Sequence, residues 1–266
     1  MLRDITIGQY YPADSHIHRL DPRTKVIFTF FYIIALFLVK DYAGFLPAIT
    51  IFGISVAVSK VPLKYILKGL KPIVFIILLT VVFNFFWGGG ETLFKIGFLK
   101  VKSEGVKRGI FLAIRLILLM LGTSMMTFTT TPTKLTDALE SILKPLNIIK
   151  IPVHEISMMM SIALRFIPIL IEETDKIMKA QQARGADFES GNIFKRAKAM
   201  IPIFIPLIIS AFRRAFDLAM AMEARCYHGG EGRTKLNPMK YRGEDYVAFL
   251  ILLLFFATII LLRVLR

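Results

Sequence analysis

The sequence predicts an all-α polytopic membrane protein, with about five transmembrane helices and a module of long amphipathic helices outside the bilayer. Three observations predict it. Of 266 residues 55% are hydrophobic, 23 of them Phe, and the mean hydropathy is +0.62. Apolar runs approaching the roughly 20 residues of a bilayer span recur along the chain. The basic residues flank these runs and do not gather in a polar domain. A disordered chain is excluded by the apolar content, and a soluble domain would need more polar surface. One cysteine, Cys226, cannot form an internal disulfide, and His16, His18, His154 and His228 are too scattered for a metal site. No metal and no cofactor are expected.

Residues 1–25 are mostly polar and carry no short apolar stretch ending in a cleavage site, so no cleaved signal peptide is expected. Asp21-Pro22 reads as a helix start capped by Asp21. Residues 26–39 form the first apolar run, short for a span. Lys40-Asp41 interrupts it, and 42–58 is the second. Lys60, Lys64, Lys68 and Lys71, about one helical turn apart, predict the polar edge of an interfacial helix. The third run is 72–87, broken by Gly88-Gly89-Gly90. Between there and Gly109 polar and apolar residues alternate. Leu93, Phe94, Ile96, Phe98, Leu99 and Val101, with Gly97, predict a small hairpin. Residues 110–128 are the fourth run and 246–265 the last.

Charge orients these spans. With the N-terminus in the cytoplasm, inside segments hold 4 Lys/Arg in residues 1–25, 4 in 59–71 and 17 in 129–245. Outside segments hold only 8, so the positive-inside rule favours this orientation. The domains are thus a cytoplasmic segment (1–25), four transmembrane helices (26–128), a cytoplasmic module (129–245) and a final transmembrane helix (246–266). The module's 17 bases are offset by 13 acids, which makes it a mixed-charge surface and no nucleic-acid arm. The predicted location is the cell membrane, multi-pass.

Within the module, Thr131-Pro132 reads as a cap followed by proline at the first helical position, opening an amphipathic helix over 133–146. From Val153 the pattern is helical for about 32 residues, roughly 48 Å. It is apolar nearly all round at first, then polar on one side from Glu172. It ends at Ala183-Arg184-Gly185, with Gly185 in position for a left-handed cap. A second long helix over about 193–226 carries an apolar stripe through Ile201, Ile205, Ile208, Phe212 and Phe216, with Pro202 and Pro206 placed to bend it. It ends at Ala224-Arg225-Cys226. Residues 229–243 read as a solvated linker. A rival topology would insert 156–171 and 200–212 in the bilayer. Their apolar runs of about 16 and 13 residues are short for spans, the first contains Arg165, and insertion would part Arg184 from Arg225.

The segments Gly8-Gln9-Tyr10-Tyr11-Pro12 and Ser15-His16-Ile17-His18-Arg19-Leu20-Asp21-Pro22-Arg23-Thr24-Lys25, the tetrapeptide Arg165-Phe166-Ile167-Pro168 and the paired Ala-Arg motifs together resemble the transmembrane component of energy-coupling factor (ECF) transporters, the EcfT/CbiQ-like family. The resemblance spans essentially the whole chain. It implies the coupling subunit of an ECF-type ABC importer that joins two cytoplasmic ABC-type ATPases to a separate substrate-binding membrane subunit for vitamin or metal-ion uptake. On it, Ala183, Arg184, Gly185 and Ala224, Arg225, Cys226 dock in the ATPases. Cys226 departs from the glycine usual in the family's second motif.

For each candidate a plainer role stands beside the functional one. Either arginine alone could be a solvated cation at a helix C-terminus, worth about 0.3–1 kcal/mol. Met158, Met159, Met160, Phe166, Ile205 and Phe212 could form an adaptable seat for the substrate-binding subunit, or simply face lipid or the chain's own spans. Arg115, within an apolar run, should snorkel or find a partner, and Arg165 could pair with Glu172 or a lipid phosphate. No phosphate-binding loop of the form G-x-x-x-x-G-K-[ST] occurs, so ATP hydrolysis would belong to partner chains. A membrane enzyme would need acids, bases or metal ligands in the predicted spans, which contain no His, Asp or Glu. An insertase-like scaffold with no ATPase partner is the remaining alternative, with Arg115 as its one support.

Overall fold

A computed structural model describes residues 10–87, 92–96, 99–186, 188, 192–230 and 238–264. The chain divides into two compact units, one made of residues 8–139 and 239–266, the other chiefly of 140–238.

The first unit is a helical bundle. Ser15 caps the short α1 (His16–Arg19), and Asp21 caps α2 (Pro22–Leu38) by accepting from the Arg23 amide at 2.9 Å, with proline at the first position. The Asp21 cap is as the sequence predicts. After a 3₁₀ turn at Tyr42–Gly44 come α3 (Phe45–Ser59), α4 (Leu63–Trp87), α5 (Ser103–Thr129) and, after the second unit, α9 (Gly243–Val264). The predicted interfacial helix and third span are one helix, α4, bent by 58° between Leu63–Lys71 and Ile73–Phe85. Pro72 sits at the bend, where it removes one helical hydrogen bond. The glycine run 88–90 lies outside the described residues. Strands β1 (Thr92–Ile96) and β2 (Leu99–Lys102) pair antiparallel, with Ile96 opposite Leu99, in the predicted hairpin.

The core of this unit joins α2, α3, α5 and α9 through Leu36, Phe45, Leu118, Phe255 and Ile259, all buried. The Tyr32 ring stacks on Phe255 at 5.9 Å. Gly122 on α5 makes this packing possible, because a Cβ there would lie 2.4 Å from Tyr32 Cε1. At the start of α9, fully buried Asp245 accepts the Asp21 amide at 2.9 Å through Oδ1 and the Arg242 amide at 2.7 Å through Oδ2. The second bond is half of a capping box. The first ties the entry of α2 to that of α9.

Arg115 lies about twelve residues into α5, roughly 18 Å from its start, deeper than Gly109 as an outer edge would place it. It finds partners. Its Nη2 donates to the Val39 carbonyl at the C-cap of α2, and its guanidinium lies 4.9 Å from the Phe111 ring centroid. The negative end of a helix dipole and an aromatic face stabilise the cation, although its buried Nε has no hydrogen-bond partner.

The second unit contains the end of α6 (Pro132–Leu143), a 3₁₀ stretch Lys144–Ile149, and two helices of 31 residues each, α7 (Val153–Ala183) and α8 (Ile193–Glu223). The amphipathic helix expected over 133–146 is therefore shorter, and closes into the tighter 3₁₀ geometry at Lys144-Pro145. Thr131 Oγ1 caps it, accepting from the Lys134 amide. Helices α7 and α8 pack on one another.

Among the described residues five helices are long and apolar enough to cross a membrane: Tyr42–Ser59, Ser103–Thr129, Val153–Ala183, Lys198–Glu223 and Gly243–Val264, with bent α4 a sixth candidate. They differ from the predicted five. Residues 26–39 fall in α2, which at 17 residues is short. Residues 156–171 and 200–212 belong to helices that pass by length, because each apolar run continues into a longer helix. The objection that they are too short does not hold for the helices themselves.

Candidate functional site: two arginine-tipped helix ends

Helices α7 and α8 end in the same turn. After α7, the Ala186 amide donates to the Gln181 carbonyl at 3.0 Å and the Gly185 amide to Gln182 at 2.9 Å. After α8, the Tyr227 amide donates to Met222 at 3.0 Å and the Cys226 amide to Glu223 at 2.9 Å. Both are Schellman motifs, in which the residue past the cap turns left-handed and two otherwise orphaned carbonyls are satisfied. Gly185 has φ +88° and Cys226 φ +55°. Arg184 and Arg225 occupy the matching position just before the left-handed residue. Both are exposed, as are Ala183, Gly185, Ala224 and Cys226.

The interval between the arginines, 41 residues, also separates Glu173 from Arg214, whose side chains pair across α7 and α8 at 2.8 Å. Each arginine therefore projects about eleven residues, roughly 16 Å, past a contact that registers the two helices. Arg165 is exposed and does not pair with Glu172; the ion pair on α7 forms one residue further along, at Glu173.

The structure does not bring the two tips together. Gly230, five residues past Arg225, lies so close to His154 at the start of α7 that a Cβ would come within 2.5 Å of the ring. Five residues reach at most about 18 Å, whereas Arg184 lies about 45 Å from His154 along α7. The arginines are thus at least roughly 20 Å apart, too far to share one groove. His154 is itself fixed, its Nδ1 2.9 Å from Glu140 Oε1; Ser157 donates to the other oxygen of that carboxylate.

The apolar candidates lie on the outside of this unit. Met159, Met160, Ile205 and Phe212 are exposed, Phe212 by 64%, while Met158 and Phe166 are half-buried. On α8, Ile201, Phe204, Ile208, Ile209 and Phe216 extend the exposed face. Sequence reasoning missed the Glu173–Arg214 pair. Its signal was the 41-residue interval itself, shared by the two Ala-Arg motifs. Among the described residues no group of three or more His, Cys, Asp or Glu could hold a metal ion.

Residues 13–236 match the CbiQ family, described as cobalt transport protein. The chain is 53% identical over 266 residues to the energy-coupling factor transporter transmembrane protein EcfT of Clostridium kluyveri, covering 99% of this chain and 98% of that one. The chain belongs to the CbiQ/EcfT family. It is also similar to the EcfT proteins of Thermosediminibacter oceani, 52% identical with 94% of each chain covered, and Bacillus subtilis, 47% identical over 99% of this chain and all of that one. As a CbiQ/EcfT member it is a multi-pass membrane component of an ECF transporter, the family expected from the sequence.

Proposed function

We propose that this chain is the coupling subunit of an ATP-driven importer. Each arginine-tipped turn docks in one of two cytoplasmic ABC-type ATPases, and the exposed apolar face of α7 and α8 seats a separate membrane subunit that binds a vitamin or metal ion. The single observation that carries the reading is the pair of matched Schellman turns, 41 residues apart in sequence and at least roughly 20 Å apart in space. One turn of this kind is a common helix end. Two copies presenting the same exposed side chain at separate points fit two separate receptors of similar shape.

A guanidinium suits this use, since its planar fork can bond a carboxylate bidentately. The second halves of α7 and α8 carry Lys176, Lys179 and Arg184, and Arg213, Arg214 and Arg225. Keeping these out of the bilayer favours a cytoplasmic placement of both tips over two crossings that would separate them. The N-terminus lies on the same side by the charge bias. Nucleotide hydrolysis then resides in the partners, and this chain transmits their closure as movement of its two long helices.

The test is co-purification of the ATPases and substrate uptake with Arg184→Ala, Arg225→Ala and the double variant. Removing one partner of a desolvated charge pair costs about 2–5 kcal/mol. Each single change should weaken ATPase retention, and the double change should abolish uptake. Normal uptake by the double variant overturns the reading.

A further inference from the structure

The bundle unit contains a half-open cleft of about 500 Å³ between α2, α3, α5 and α9. This lies within the range of small-molecule sites. Its walls are mostly apolar, among them Phe28, Phe52 and Ile251, and besides the hydroxyls of Thr29, Tyr32, Ser55 and Thr129 its polar groups include His16, Thr24, Lys25 and Glu244.

Three of these groups are left with unmet hydrogen-bonding capacity. Thr24 is 1% exposed and its Oγ1 has no partner. Other helical threonines, such as Thr29, Thr80, Thr129 and Thr258, return their hydroxyl to the carbonyl four residues earlier. Thr24 is the third residue of α2, so its position four back, Leu20, lies outside the helix. Glu244 gives Oε1 to His16 Nδ1 at 2.9 Å, but Oε2 is buried and unpartnered. Lys25, 7% exposed, donates to the carbonyls of Thr129 at 2.8 Å and His18 at 3.3 Å. An ammonium has three N–H groups, so one remains. A buried polar atom without a partner is costly, and native structures rarely leave one so.

We propose that this cleft binds a membrane phospholipid whose head group ends in a primary ammonium. The apolar walls take an acyl chain, continuous with the hydrocarbon around the bundle. The Thr24 hydroxyl and the third Lys25 N–H donate to the phosphate. The head-group ammonium donates to Glu244 Oε2. Two donors and one anionic acceptor are the complement of a phosphate beside an ammonium. A choline head has no N–H to give Glu244, and a glycerol head brings no positive charge.

The experiment uses the full chain purified in detergent, exchanged into vesicles of phosphatidylcholine doped equally with phosphatidylethanolamine and phosphatidylglycerol, re-extracted and weighed intact by native mass spectrometry. The expected result is one retained phosphatidylethanolamine, favoured roughly tenfold over the other two, as one charge-assisted bond would give. Glu244→Gln should lose that preference while still retaining lipid. Ala248→Trp, which fills the cleft, should retain none while its elution and thermal transition stay those of the parent. No retained lipid in the parent, equal retention of all three, or a preference unchanged by Glu244→Gln overturns the proposal. So does lipid retained by the chain alone but absent from the intact transporter complex, since the cleft would then be a subunit seat.

Discussion

Cys226 holds at the end of α8 the left-handed backbone position that Gly185 holds at the end of α7, at φ +55° against +88°. A side chain at such a φ carries about 1–2 kcal/mol of strain that glycine avoids. The cysteine leaves the turn's hydrogen bonds in place, since those around Cys226 match those around Gly185. Cys226→Gly should therefore stabilise the end of α8 by about 1 kcal/mol. Amide exchange at Cys226 and Tyr227 should slow, with ATPase docking kept. Faster exchange would show that the thiol itself supports the turn.

The Glu173–Arg214 pair should set the register of α7 against α8. Both side chains are partly exposed, so its stabilising effect should stay below about 1 kcal/mol. Its effect on geometry should be larger. Spin labels at Ala183 and Ala224 should show a broader distance distribution in Glu173→Ala. The reversed pair Glu173→Arg with Arg214→Glu should narrow it again. An unchanged distribution in the single variant would remove the pair from this role.

Asp245 is buried and accepts two backbone amides, from Asp21 and Arg242. Asp245→Ala leaves both N–H groups unpaired, at about 1–3 kcal/mol each. The purified chain should unfold several degrees lower. A transition within experimental error of the parent would mean that water replaces the carboxylate at no loss.

His18 supplies a pH dependence. Its Nε2 donates to the Tyr11 carbonyl at 3.0 Å, and its Nδ1 lies 2.7 Å from the Ser15 hydroxyl, from which the neutral ring accepts. Burial holds its pKa below the ordinary 6.5. The unfolded chain therefore takes up this proton first as pH falls. Stability from this group is present above about pH 6.5 and declines below it. For Asp21, burial acts to raise the carboxyl pKa. Its bonds from the Arg23 side chain and amide outweigh burial and hold the pKa below the ordinary 3.8, so its contribution is lost only in stronger acid. A His18→Gln variant should flatten the loss of thermal stability between pH 7 and pH 5.5. An unchanged profile would assign that loss elsewhere.

Much of the fold is written in local signals. Asp21-Pro22 and Thr131-Pro132 open helices where they stand, and Gly185 closes one, because capping depends on a few neighbouring residues. The alternation of Leu93 to Val101 gives the hairpin. Contacts between distant residues are less legible. Nothing local says that Asp245 meets Asp21, 224 residues away, or that Arg115 meets Val39. The join of the basic ladder to the third run misled because Pro72 reads as a boundary, whereas a helix can pass through proline with a bend. For the site, the two arginine-tipped helix ends and the left-handed Gly185 were legible, but the matching turn at Cys226 was not, since a cysteine does not signal a positive φ. Their separation was not, since it depends on Gly230 returning to His154.

The central claim is that both arginine tips face the cytosol, and the chain carries its own reporter. Cys226, its one cysteine, is exposed and adjoins Arg225. Cells expressing the chain without partner subunits can be treated with a membrane-impermeant maleimide before and after permeabilisation. The account predicts no modification of Cys226 in intact cells and full modification once the membrane is opened. Modification in intact cells would place Arg225 on the outer face and contradict it.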